Sequence, residues 1–160
     1  MRRQLQILAL LGSVGLLLGA LAFEYIGGMA PCALCIWQRW PHVVALAGAG
    51  ALALPGVFWP LIGAGGAAVS GAIGVYHTGV ERAWWPGPTS CSAGGDLSGM
   101  SAEELLAQIM AAPVVRCDEV PWEMLGLSMA SWNAVASFGI AGLWLLSLRQ
   151  GGKWSFAAQK

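Results

Sequence analysis

WPHVVALAGAGALALPGVFWPLIGAGGAAVSGAIGVYHTGV, residues 40–80, runs for 41 residues without one Asp, Glu, Lys or Arg. A charge at the centre of a bilayer-spanning helix costs about 2.5–3.5 kcal/mol, so a gap of this length is the mark of a chain that lives in lipid. A helix rises about 1.5 Å per residue and the hydrocarbon core is about 30 Å thick, so one crossing needs about 20 residues. The stretch therefore holds two spans and a reversal, and Leu54-Pro55-Gly56 near its middle supplies the helix-breaking pair.

Two shorter charge-free windows flank it: Gln4 to Phe23, 20 residues, and Met124 to Leu148, 25 residues, each sufficient for one span. The expected fold is an all-α membrane protein: one integral domain over residues 1–160, an antiparallel bundle of four transmembrane helices at about 5–24, 36–54, 58–78 and 126–148. Loops at about 25–35 and 79–125 join them on one side. The composition agrees, with 57% apolar and 10% charged residues and a mean hydropathy of +0.65. It excludes a disordered chain, and four cysteines are too few for a disulfide-built miniprotein.

Eight basic and eight acidic residues leave a net charge of zero, which argues against nucleic acid or another polyanion as partner. The zero is a cancellation across the bilayer. Arg2 and Arg3 precede the first span and Arg149, Lys153 and Lys160 follow the last, and cytoplasmic flanks collect such residues. Both termini are thus expected in the cytoplasm, and all eight acids, Glu24, Glu81, Asp96, Glu103, Glu104, Asp118, Glu119 and Glu123, fall in the loops on the far side. Arg2-Arg3, the apolar run and Ala20-Leu21-Ala22 also fit a cleavable signal peptide, but the run is longer than a typical signal core, and cleavage would leave the sidedness of the rest unchanged.

Small residues four apart, Gly15 and Gly19 in the first span, Gly63, Ala67 and Gly71 with Gly66, Ser70 and Gly74 in the third, suggest where helix backbones approach closely. Trp37, Trp40, Trp84, Trp85 and Trp122 gather at the expected outer boundary and Trp59 and Trp154 at the inner one, as an aromatic belt. In the long loop, Ser101-Ala102-Glu103-Glu104 reads as a capping box, Leu105/Ile109 and Leu106/Met110 pair at i,i+4, and Pro113 stops the run. One short amphipathic helix, suited to rest on the membrane surface, is expected there.

All four cysteines lie in or beside the outer loops: Cys32 and Cys35 at the mouth of the second span, Cys91 and Cys117 in the long loop. Cys32-Ala33-Leu34-Cys35 is a C-x-x-C, a spacing that permits a reversible bridge. Its loop is too short for such a bridge to add much stability, although a scaffold with structural disulfides remains the competing reading. A zinc site lacks a second C-x-x-C, and Ile36 rather than a histidine follows Cys35, which excludes c-type haem attachment here. His42 and His77 could ligate a b-type haem, or serve as interfacial hydrogen-bonding residues. No metal is expected. Pro31 suits a first helical turn, which places Cys32 and Cys35 near the positive end of a helix dipole, where a thiolate is favoured. Arg39, four residues after Cys35, shares its face if Pro41 leaves the helix intact, and can stabilise a thiolate or hydrogen-bond a carbonyl oxygen of an electron acceptor. A snorkelling interfacial arginine is the plainer role.

These residues together resemble the disulfide bond formation protein B (DsbB) family, bacterial inner-membrane thiol oxidases. The likeness runs through Pro31-Cys32-Ala33-Leu34-Cys35-Ile36-Trp37-Gln38-Arg39, Tyr76-His77-Thr78-Gly79-Val80-Glu81, Cys91, Cys117-Asp118 and Gly126-Leu127-Ser128-Met129-Ala130-Ser131-Trp132-Asn133. The vitamin K epoxide reductase family, with four spans and similar chemistry, carries its loop cysteines before its C-x-x-C, the reverse of the order here. The resemblance implies two coupled disulfides, Cys32–Cys35 and Cys91–Cys117. It also implies a periplasmic, thioredoxin-fold DsbA-like partner that attacks Cys91, release of Cys117 to attack Cys32, and Cys35 freed as a thiolate facing a membrane quinone, ubiquinone or menaquinone. Arg39 matches the family's quinone-contacting arginine. His77 and Glu81, at the outer end of the third span, are expected to give quinone-side polarity or to anchor the loop, with His77 the candidate cofactor contact. The implied place is the bacterial inner membrane, with the cysteines on the periplasmic side.

Overall fold

The computed structural model describes residues 1–88, 101–111 and 115–155. Of the features singled out above, Cys91, Asp96, Pro113 and Lys160 lie outside the described residues, as do the side chains of Leu105, Ile109, Met110, Lys153 and Trp154.

Among the described residues, three helices are long and apolar enough to cross a membrane: α1 (Arg2–Tyr25), α3 (Phe58–Glu81) and the first part of α5 (Met129–Ser155), over Met129–Gln150. The expected second span, 36–54, takes a different form. It is α2 (Ala33–Leu46), 14 residues, running directly into a six-residue 3-10 segment, Ala47–Leu52. Two features of the sequence account for the change. Pro41 lies inside α2 and has no N–H to give the preceding turn, and the Ala-Gly-Ala-Gly run that follows has little intrinsic hold on the α form. Its glycines are there for packing. A Cβ on Gly48 would stand 2.8 Å from Cζ2 of Trp144, and one on Gly50 would stand 2.5 Å from Cδ2 of Trp59. At about 1.5 Å and about 2.0 Å per residue, the two pieces together still extend about 33 Å. The reversal falls at Pro55-Gly56, where Gly56 has φ +112°, before α3 begins at Phe58.

α3 packs on α2 and α5, and α1 packs on α2 and α5. The chain alternates direction, because Glu24 near the end of α1 meets Arg39 in α2, and Glu81 at the end of α3 meets Ser128 just before α5. Both expected rows of small residues on α3 lie at helix contacts. Cβ atoms on Gly66 and Gly74 would stand 2.5 Å from the Pro41 carbonyl oxygen and 3.0 Å from that of Ala130. Gly63 and Gly71 face Trp144 and Phe138 of α5.

The row on α1 does something else. Nothing lies within 4 Å of a Cβ placed on Gly15 or Gly19, so these glycines do not bring α1 against a neighbour; they line an open cavity. Gly12 is the glycine of α1 that packs, against Ile140.

In the long loop, α4 (Ala102–Ala111) begins where the capping box places it. The Ser101 N–H and hydroxyl donate to Glu104 Oε2 at 2.9 and 3.0 Å, and the Glu104 N–H donates to Ser101 Oγ at 3.3 Å. A small hairpin not expected from the sequence, β1 (Glu123–Met124) and β2 (Leu127–Ser128), leads into α5. Leu125 and Gly126 both have positive φ, 55° and 76°, as a tight two-residue hairpin turn requires. Ser128 then caps α5, its Oγ accepting from the Ser131 N–H at 3.2 Å.

Candidate active site

Cys32 is the N-cap residue of α2, in extended conformation (φ −74°, ψ 170°), and its sulfur accepts from the Cys35 N–H at 3.2 Å. A C-x-x-C that opens a helix folds this way because the cap needs an acceptor side chain and the third residue of the turn offers an unpaired N–H. Both thiols are free, with the two sulfurs 2.9 Å apart, so the pair is in its dithiol form. Both precede the expected second span. The hydrogen bond from Cys32 to Cys35 dominates their acidity: it holds Cys35 down at about 7, where the Arg39 charge adds to it against the cost of burial. The same bond, with burial, pushes Cys32 up. Cys35 is therefore the more acidic thiol of the pair.

Cys117 is disulfide-bonded and fully buried. Its sulfur, the Cys32 sulfur and a ring nitrogen of His77 lie within 4.8 Å of one another. Two cysteines far apart in sequence are thus brought to near-contact distance, next to a histidine. The cluster has the outline of a metal site, but one of its sulfurs is already committed to a disulfide and lacks the thiolate that a metal would need. Cys91, the fourth expected cysteine, lies outside the described residues.

Arg39 sits one turn beyond Cys35, despite Pro41. It donates through Nη1 to Glu24 and through Nη2 to the Ala20 carbonyl, at 3.4 Å for the latter. A guanidinium has five N–H donors, so three remain. Beside it opens a cavity of about 390 Å³, within the usual range for small-molecule sites. Cys32, Cys35 and Arg39 are at its wall with His77 and Glu81, and the remainder is largely apolar, including Leu16, Phe23 and Trp132. A flat, apolar ring bearing an acceptor oxygen suits such a lining.

His77 is 3% exposed, and its nearest partners are protein groups. Its Nδ1 is 2.9 Å from Gln38 Nε2, its Nε2 is 3.6 Å from the Cys32 sulfur and 3.9 Å from Glu81 Oε1, and it hydrogen-bonds the backbone of Cys117. His42, the other haem-ligand candidate, hydrogen-bonds Ser13 and Ser137 from its two ring nitrogens, at 3.3 and 3.0 Å. The hydrogen-bonding role fits it, since neither nitrogen is left to ligate.

Sequence reasoning missed Glu24, Gln38 and Asn133 as parts of the site. Glu24 meets Arg39 across 15 residues, a contact no local pattern reveals. Gln38 and Asn133 did carry a signal, since amides inside otherwise apolar spans call for a partner. Asn133 Nδ2 donates to Gln38 Oε1 at 2.8 Å.

Fold and site together define a helical membrane protein that holds a dithiol at the mouth of an apolar cavity, with a second, disulfide-bonded cysteine against it. Comparison with known proteins gives this class its family. The family model for disulfide bond formation protein DsbB matches residues 2–147. The chain is 34% identical over 152 residues to the disulfide bond formation protein B of Shewanella frigidimarina (strain NCIMB 400), covering 88% of this chain and 86% of that protein. It is 32% identical over 154 residues to the one from Polaromonas naphthalenivorans (strain CJ2), covering 91% and 90%, and 32% over 155 residues to the one from Verminephrobacter eiseniae (strain EF01-2), covering 92% and 85%. The chain belongs to the DsbB family.

Proposed function

We propose that this protein is a thiol:quinone oxidoreductase that makes disulfides de novo, taking electrons from a DsbA-like periplasmic dithiol protein and passing them to a membrane quinone. The observation that carries the reading is the juxtaposition at Cys32: its sulfur lies within 4.8 Å of that of disulfide-bonded Cys117 on one side, and its dithiol partner Cys35 faces the cavity beside Arg39 on the other. A scaffold with structural disulfides has no use for a thiolate at a cavity wall.

In this reading electrons pass from sulfur to sulfur. Cys117 pairs with Cys91, as the resemblance implies, and a partner thiolate attacks Cys91, so that the electron pair of the broken bond leaves on Cys117. The Cys117 thiolate then attacks Cys32 of the Cys32–Cys35 disulfide, and Cys35 leaves with the electron pair. A lowered thiol pKa makes Cys35 the better leaving group, which directs attack to Cys32. A quinone bound in the cavity would supply the two-electron acceptor, ending as quinol. Arg39, fixed by Glu24, would orient its carbonyl oxygen, and the apolar wall would hold its ring out of water. Cys91 and Cys117 would return to their bond as the partner leaves oxidised, and Cys32 and Cys35 to theirs as the acceptor is reduced.

The same reading sets the chain in the bacterial inner membrane as one integral domain with four spans. The second would be made by α2 from Ile36 onward with its 3-10 extension, whose combined length of about 29 Å matches a hydrocarbon core of about 30 Å. Basic flanks favour cytoplasmic termini, which leaves the cysteine-bearing end and α4 facing the periplasm.

The test is turnover. Full-length protein in detergent, mixed with a reduced thioredoxin-fold dithiol protein and a short-chain ubiquinone, should form one quinol per partner disulfide. Cys35→Ser should form none. Partner oxidation that proceeds at full rate in Cys35→Ser would overturn the mechanism.

A further inference from the structure

The buried amides beneath the cysteines fix which nitrogen of His77 carries the proton. Gln38 Nε2 lies 3.1 Å from the Leu34 carbonyl oxygen and 2.9 Å from His77 Nδ1. A backbone carbonyl only accepts, so this end of the amide is the NH2 group, and the other end, 2.8 Å from Asn133 Nδ2, is the oxygen. His77 Nδ1 is therefore an acceptor. In a neutral imidazole the proton then sits on Nε2, the nitrogen 3.6 Å from the Cys32 sulfur. The hydrogen bond to the Cys117 backbone agrees, because a carbonyl there needs an N–H donor. Asn133 is itself held: its Nδ2 also lies 3.2 Å from Ser70 Oγ, and Ser70 donates to the Gln38 carbonyl at 2.8 Å. Gln38 and His77 are 6% and 3% exposed, so each offers little of its surface to the cavity it borders.

We propose that Gln38 is a positioning residue: by donating to Nδ1 it locks His77 with its Nε2–H turned toward the Cys32 sulfur and the Cys117 main chain, keeping the two exchanging sulfurs together and meeting the charge that develops on Cys32. Asn133 supports it by fixing the amide. The inference rests on the exchange proposed above and adds the group that serves Cys32. The step concerned is the return of Cys117 to Cys91. There the Cys91 thiolate bonds to the Cys117 sulfur, the Cys32–Cys117 bond breaks, and its electron pair leaves on Cys32, where the His77 N–H donates to it. His77 thereby acts on sulfur, a role different from the quinone-side polarity or loop anchoring expected from its position.

Two readouts test this in the full chain in detergent. The protein has two histidines, so imidazole nitrogen-15 spectra are simple, and a His42→Gln variant assigns them. The dithiol protein should show His77 protonated on Nε2 alone, and Gln38→Leu should show a mixture of tautomers. In turnover with reduced partner, Gln38→Leu should lower kcat about tenfold, the worth of one hydrogen bond to a developing charge, with the KM for short-chain ubiquinone unchanged. Should Gln38→Leu fail to fold, Asn133→Ala should move both readouts in the same direction by about threefold in kcat. Gln38 borders the cavity, so an Nδ1–H tautomer in the wild type overturns the proposal, as does a rise in quinone KM with kcat intact, which would give Gln38 a role in binding quinone and none in holding His77. A wild type with no quinone-linked turnover would instead sink the reading of the function, while the tautomer spectrum still decides the role of Gln38.

Discussion

The two ends of the bundle are held together by opposite means. At the end away from the cysteines, Trp144 is fully buried in a slot cut by two glycines: a Cβ on Gly63 would come within 2.4 Å of its ring and one on Gly48 within 2.8 Å. At the cysteine end, close contacts such as Gly74 against Ala130 are joined by hydrogen bonds among buried polar side chains, from Ser13 and His42 through Ser137 and Asn133 to Gln38 and His77, beside an open cavity. Close apolar packing is what drives helices together in lipid, whereas a cavity forfeits it and buried polar groups demand partners. The first end holds the bundle, and the second gives up packing to keep sulfurs, amides and a binding space in register.

Substitutions can break this contrast. Gly63→Ala should have the largest effect on stability. Its methyl has nowhere to go against Trp144, so we expect a loss of about 1–3 kcal/mol, read by denaturation in detergent, with the KM for quinone unchanged in the protein that remains folded. Arg39→Gln should do the reverse, raising the KM for a short-chain ubiquinone about tenfold, as loss of a charged hydrogen-bond donor predicts, while thermal stability changes little. The acidity of the dithiol gives a third, smaller handle. With Cys35 lowered to about 7 from the usual 9.0, its thiolate is present above that pH and lost below it. Alkylation of Cys35 should thus rise through a midpoint near 7 and level off at higher pH; a midpoint near 9 would remove the activation by Cys32 and Arg39. The smallest effect is expected at Gly15→Ala, where a methyl meets nothing within 4 Å: stability should stay within about 0.5 kcal/mol, in contrast to Gly63.

The sequence disclosed the part of this contrast that charge and turn chemistry control. Charge-free windows located α1, α3 and α5, Leu54-Pro55-Gly56 marked the reversal, and Ser101 with Glu104 marked the start of α4. C-x-x-C and Arg39 pointed to the helix mouth beside which the cavity opens. Pairwise contacts across the bundle stayed hidden. Spacing showed that Gly15 and Gly63 were both members of small-residue rows, yet only the placement of Trp144 makes one a packing glycine, and only the cavity makes the other free. Likewise, only the rings of Trp59 and Trp144, brought in from other helices, show why Gly48 and Gly50 must be glycines. His77 was legible as a site residue, but its partners, Gln38, Cys32 and the Cys117 backbone, decide what it does.

The central claim is that the Cys32–Cys35 pair delivers its electrons to a quinone in the adjoining cavity. A single turnover without any partner protein tests it most directly: the dithiol protein is mixed with one equivalent of short-chain ubiquinone, quenched with acid, and mapped by non-reducing peptide mass spectrometry while quinol is counted. The account predicts one quinol for each new Cys32–Cys35 disulfide, with the state of Cys117 unchanged. Quinol formed while Cys32 and Cys35 remain thiols, or a pair that stays reduced in the presence of quinone, would contradict it.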